Sequence, residues 1–162
     1  MQWLRKLVPN NGSRHSRLKT NILTRILRHL ASMMHIVKTA KHFFPVSDLP
    51  FVCMENCREI LGCHICDKRR SVSELKLKFP DVDFSAIKDE EDMLWTPTHR
   101  ETDEEMQARA KRFLVELFQK IPEQRIAVVT HSVFMESINA AILGVRMHPA
   151  NCEVFPFVLE VI

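Results

Sequence analysis

RIAVVTHSVFMESIN, residues Arg125 to Asn139, sets a short apolar run directly before a histidine and a longer, spaced apolar pattern directly after it. Ile126 to Val129 do not alternate with polar residues and are rich in valine and isoleucine. That predicts a strand buried on both faces in a helix-covered parallel sheet. His131 then lies in the turn. Ser132 is placed to cap a helix whose apolar positions Phe134, Ile138, Ala141 and Ile142 recur at helical spacing, and Gly144 is its stop. A histidine between the C-terminal end of a strand and the N-terminus of a helix stands where free backbone donors and the helix dipole meet an anion. The same place also suits a loop histidine that serves local hydrogen bonding, and position alone leaves both readings open.

Upstream lies the clearest helix, TDEEMQARAKRFLVELFQKI. Thr102 and Glu105 form a capping box, Asp103 and Glu104 favour the positive end of the dipole, and Met106, Ala110, Phe113, Leu114, Leu117 and Phe118 build one apolar face. Helix, strand, turn and helix in succession predict an alternating α/β domain. Further upstream, Leu23, Ile26, Leu27, Leu30, Met33, Met34 and Val37 mark a single helical stripe ending before Pro45. Phe51 to Met54 reads as a short strand or a helix start, because four apolar residues fit both. Ser71 to Leu77 predicts a short helix ahead of Pro80, and residues 81 to 100, acidic and broken by Pro97, a long loop. Val154 to Ile162 has the length of a strand, with Pro156 marking an edge or bulge. Residues 1 to 20 are polar, basic and aperiodic, and are expected to be a mobile segment ahead of a domain at 21 to 162.

With 162 residues the chain is long enough for one domain with a real core, and its 46% apolar content excludes global disorder. The formal charge is +3, and Arg5, Lys6, Arg14, Arg17, Lys19, Arg25 and Arg28 face no acidic residue in that stretch. Without aromatic interleaving or a recognisable binding module, such a segment reads as a solvated basic surface, so no nucleic-acid partner is expected. Five cysteines, an odd count, and no secretory signal predict a reduced, cytoplasmic protein. Cys63 and Cys66 have the spacing of half a zinc site or a redox pair, but no second close pair follows, so neither metal nor cofactor is expected. No run of about 18 apolar residues suggests a membrane partner.

Phosphoryl transfer through a histidine needs a neutral imidazole aimed at phosphorus, cations on the nonbridging oxygens and an acid near the leaving oxygen. Arg25, in the first helical stripe, and Glu59, in ENCREILG, offer the second and third groups. Taken singly, each reads equally as a solvated surface charge.

Four separated blocks carry a resemblance: CREILGCHICDKRRSVSEL, FPDVDFSAIKDEEDMLW, RETDEEMQARAKRFL and IAVVTHSVF. In this order they resemble the histidine phosphatase superfamily in its phosphoglycerate-mutase-like branch, over roughly residues 21 to 159. The resemblance implies a three-layer α/β fold with a mostly parallel sheet, and a site in which a histidine near the chain start is transiently phosphorylated. It maps the second active-site histidine onto His131 and the site carboxylate onto Glu59. The arginine of the serine-proline-leucine-x-arginine segment maps onto Arg25 in NILTR, where Asn21 and Ile22 replace serine and proline. Catalytic roles therefore fall to Glu59 and His131, and phosphate binding to Arg25 and His131.

The chain departs from the family at its start. The family opens with a strand running into an arginine-histidine-glycine motif whose histidine is the nucleophile. Arg14 and His15 are followed by Ser16, LVPNNGS is no buried strand, and nine residues separate His15 from Arg25 where a helix and a strand are due. The expectation is an N-terminally truncated domain of phosphomonoester hydrolase or mutase ancestry with impaired catalysis and weak affinity for a small phosphorylated molecule or inorganic phosphate. The alternative is a noncatalytic phosphate-sensing or protein-interaction domain.

Overall fold

The computed structural model describes residues 4–6, 27–30, 34–44, 51–123 and 125–161. Their elements are, in chain order, β1 (Leu4–Lys6), β2 (Leu27–Leu30), α1 (Met34–Phe43), β3 (Phe51–Cys53), α2 (Val72–Lys78), β4 (Val82–Asp83), α3 (Asp103–Lys120), β5 (Ile126–Val129), α4 (Ser132–Leu143) and β6 (Leu159–Val161), with short 3-10 turns at Glu55–Cys57 and Ile65–Asp67. β4, β3, β2 and β5 form one parallel sheet in that order, and β1 pairs antiparallel with β6. Parallel neighbours require crossovers, which α1 supplies between β2 and β3 and α2 between β3 and β4.

Two apolar clusters cover the sheet. Val37 and Ala40 of α1 and Val72 and Leu75 of α2 pack with Phe51, Cys53 and Val129. Met106, Ala110, Phe113 and Leu117 of α3 and Phe134 and Ile138 of α4 pack with Ile126 and Val128. Adjacent residues of β5 thus feed opposite clusters, which is why its sequence lacks alternation. The capping box forms as the sequence requires: the Glu105 amide donates to Thr102 Oγ1 at 3.3 Å and the Thr102 amide to Glu105 Oε2 at 2.8 Å. Gly144 ends α4 with φ 71°, a left-handed conformation that costs glycine little.

Several expectations need correction. The stripe from Leu23 to Val37 is not one helix: Leu27–Leu30 is a strand paired on both sides, and the helix starts only at Met34. Leucines three apart fit a helix locally, but ladder hydrogen bonds to two distant strands override that periodicity. Leu4–Lys6, inside the segment expected to be mobile, pairs with β6. Only Leu159–Val161 of the last apolar run is a strand, the stretch around Pro156 making no ladder. The loop at 81 to 100 begins with the two-residue β4. His131, not Ser132, is the N-cap of α4, and its side chain makes no capping bond.

Candidate active site

Because β2, β3 and β5 are parallel, their C-terminal ends share one edge of the sheet, where the loop after β3, the turn after β5 and the start of α1 converge. There His131 Nδ1 lies 3.2 Å from Glu59 Oε2, although 72 residues separate the two in sequence. The other Glu59 oxygen accepts the Ile60 amide at 2.9 Å. Burial pushes the Glu59 carboxyl upward, but the bonds from His131 and Ile60 outweigh it and hold the group below the ordinary carboxylate range. His131 is about nine-tenths buried, and its Nε2 has no hydrogen-bond partner among the described residues. The unbonded amides at the start of α4 follow immediately.

A second ring completes the group. His35, in the first turn of α1, meets His131 edge-on, with ring centroids 4.8 Å apart and planes at 84°. Burial lowers its pKa, as does His131, with Glu59 opposing. His35, Glu59 and His131 line one cleft of about 1100 Å³ whose remaining wall is largely apolar and includes Phe43, Phe113 and Met135. Reading the first helix from Leu23 concealed His35. The signal that marked His131 is missing here, since Leu27–Leu30 carries Arg28 and His29 and is no apolar run. Arg25, and with it Arg14 and His15, lies outside the described residues.

The loop bearing Glu59 is held by buried arginines. All the donor groups of Arg109, on α3, are used: Nε and Nη2 donate to Glu101 at 2.7 Å, Nη1 to the carbonyls of Asn56 and Arg58, and Nη2 to that of Glu59. Thr130 Oγ1 donates to the Cys57 carbonyl at 2.7 Å, tying the end of β5 to the same loop. At Gly62 a Cβ would fall 2.9 Å from the Arg100 Cα, so the loop passes closer to residue 100 than any side chain would permit. These are positioning contacts: they fix the carboxylate, Thr130 from the cleft wall and Arg109 from behind it.

Arg58 does not serve the site directly. Its Nη atoms donate to both Asp92 oxygens at 2.8 and 2.6 Å, to Glu55 and to the Asp67 carbonyl. Asp92 also accepts the amides of Arg69, Leu94 and Trp95. Burial alone would raise the Asp92 pKa, but Arg58 and these amides bring it down from 3.8 to about 2. Its folded value lies below its unfolded one, so the stability it gives is complete above about pH 4 and is lost as pH falls toward 2, an amount of about 2 kcal/mol. Urea midpoints measured from pH 5 to pH 2 should fall accordingly, and Asp92→Asn should remove that acid limb. An unaltered limb in the variant would assign the acid sensitivity to other carboxylates.

Cys53 and Cys57 are buried, their thiols pushed up, Cys57 to about 12, by desolvation, so neither is a thiolate at neutral pH. Cys63 and Cys66 are exposed and free. Among the described residues no group of three or more His, Cys, Asp or Glu is arranged to hold a metal, and no helix is long and apolar enough to cross a membrane.

The sequence pattern of the histidine phosphatase superfamily, branch 1, matches residues 20–156. Phosphoglycerate mutase-like protein 1 of Arabidopsis thaliana is 46% identical over 121 residues, covering 68% of this chain and 42% of the relative. A phosphoglycerate mutase-like protein of the same plant is 38% identical over 119 residues, covering 68% and 44%. A probable phosphoglycerate mutase of Saccharomyces cerevisiae is 28% identical over 170 residues, covering 85% and 58%. The chain thus spans about half the length of these curated relatives. No solved structure gives a significant match.

Proposed function

The chain belongs to the histidine phosphatase superfamily, and from that premise we propose that its Glu59–His131 site binds a phosphoryl group, as a phosphomonoester or inorganic phosphate, weakly and with poor turnover. The observation that carries this reading is His131 itself. Its Nδ1 is engaged by Glu59 while its buried Nε2 is unpartnered beside the free amides of α4. A buried ring nitrogen without a partner carries a desolvation cost, and with Nδ1 donating to Glu59 the Nε2 of a protonated ring donates to an anionic oxygen at that place, which offsets it. In the reaction that family membership implies, a histidine attacks phosphorus in line, Glu59 protonates the leaving oxygen, His131 stabilises the developing charge and Arg25 holds phosphate oxygens. The attacking histidine belongs to an arginine-histidine-glycine segment, and these 162 residues contain none.

Helix amides and an arginine charge each contribute about 0.3 to 1 kcal/mol, which sets the expected dissociation constant in the millimolar range. Sulfate is the cleaner probe, because phosphate changes charge near neutrality. Titrating sulfate at low ionic strength should shift the His131 ring resonances saturably, and Arg25→Ala should weaken the effect. Shifts spread evenly from Arg5 to Lys19 would instead reveal diffuse anion condensation on the basic segment.

A further inference from the structure

We propose that His35 is a third anion contact in this site and that it takes up a proton when the anion binds, making the affinity of the site proton-linked. The proposal rests on the phosphoryl-binding reading of the Glu59–His131 pair and adds a residue and a mode of regulation to it.

The geometry comes first. His35 sits in the first turn of the ten-residue α1, with its ring against His131 and both rings bordering the same cleft. The start of α1 and the start of α4 therefore bring two helix N-termini and two imidazoles to one place. Of the four ring nitrogens, only His131 Nδ1 is engaged by a carboxylate among the described residues. His131 Nε2 is buried and unpartnered.

The charges facing His35 decide its protonation. From the loop after β3 comes Glu59, already committed to His131; from the turn after β5 comes His131 itself. From the segment before α2, Lys68, Arg69, Arg70 and Cys66 line a smaller cavity, of about 200 Å³, on which His35 also borders. Arg69 is committed to Glu55 and to the backbone carbonyls of residues 70 and 89 to 91. Arg70 pairs with Glu74, and Lys68 lies over the Trp95 ring. Among the described residues, His35 thus faces cations across the smaller cavity and His131 across the cleft, with one carboxylate already in use. Burial first, and the neighbouring His131 after it, lower the His35 pKa against the pull of Glu59, which keeps the ring neutral near pH 7 in the empty site. A dianion seated between the two rings reverses the local field and favours the His35 imidazolium. By linkage, the affinity then rises as pH falls, by up to about tenfold per pH unit between the free and the bound titration of His35.

The test is calorimetric titration of sulfate into the full 162-residue chain at pH 6 and pH 8, in two buffers of different ionisation enthalpy. The buffer dependence of the heat counts protons directly. Wild type should take up a larger fraction of a proton than His35→Gln. That variant, which keeps a polar side chain but cannot charge, should bind about tenfold more weakly at pH 6 and near the wild-type level at pH 8. His35→Arg carries a permanent charge, so it should bind at both pH values with the lower proton count. Sulfate that still shifts His131, with affinity and proton uptake unchanged in both variants, would overturn the role of His35 and leave the phosphoryl-binding reading standing. No saturable binding by the wild type at either pH would overturn that reading, and this proposal with it.

Discussion

Purified as this 162-residue chain, the protein is expected to hydrolyse an aryl phosphate at least about a thousandfold more slowly than a superfamily member bearing an arginine-histidine-glycine segment, a deficit of about 4 kcal/mol in the barrier. Two features set that size. Covalent catalysis needs an imidazole aimed at phosphorus, whereas His131 has one nitrogen committed to Glu59 and stands at a helix N-terminus suited to stabilising charge. Glu59 is also a poor proton donor at neutral pH, because His131 and the Ile60 amide hold its pKa below the ordinary carboxylate value. Residual activity should therefore rise as pH falls toward the titration of Glu59, and Glu59→Gln should lose that rise. A rate comparable with that of such a superfamily member, abolished by His15→Ala, would overturn the account, since it would make His15 the nucleophile despite Ser16.

What was legible in the sequence was local. The capping box of α3, the apolar face from Met106 to Leu117, the β5 strand and the Gly144 stop each follow from residues within one element and form as read, although β5 is half-buried rather than buried and Phe118, read as part of the buried face, is exposed. β2 was not legible. Its four residues, Leu27–Leu30, carry a helix-like spacing, and only pairing with β3 and β5, 24 and 99 residues away from Leu27, makes them a strand. That misreading had a functional cost, because the end of β2 is what delivers His35 to the site. Glu59 and His131 were named from a resemblance; that they meet at 3.2 Å is a consequence of the parallel order of β3, β2 and β5, which no local pattern encodes. Arg109 left a fainter trace. It lies three residues after Met106 and four before Phe113, so helical geometry put it on the buried face, yet a charged residue inside an apolar stripe drew no inference.

Arg109→Leu should produce the largest loss of stability of any single change considered, about 3 to 5 kcal/mol, because it strands a buried carboxylate rather than merely deleting a contact. Arg109 and Glu101 are only 1% and 8% exposed, and the guanidinium also satisfies the carbonyls of Asn56, Arg58 and Glu59 while lying 4.4 Å from the centre of the Phe134 ring. Glu101 additionally accepts the Leu61 amide at 3.0 Å, so the pair closes the loop from both ends. Against a typical domain stability of about 5 to 15 kcal/mol, the loss should lower the urea midpoint by more than about 1 M. Leucine fills the space beside Phe134 but leaves the Glu101 charge with the Leu61 amide alone and takes a donor from three carbonyls. Replacing both partners, Arg109→Leu with Glu101→Leu, should therefore cost well under the sum of the single changes, since no charge is then left buried. The same cycle separates support from chemistry. If Arg109 acts by holding the Glu59 loop, folded Arg109→Leu molecules should show altered His131 ring resonances without added anion, as the Glu59 contact loosens. Equal and additive losses in the cycle, with His131 undisturbed, would show that α3 packing alone carries the stability and that the position of the Glu59 loop is fixed elsewhere, by Thr130 and the close approach at Gly62.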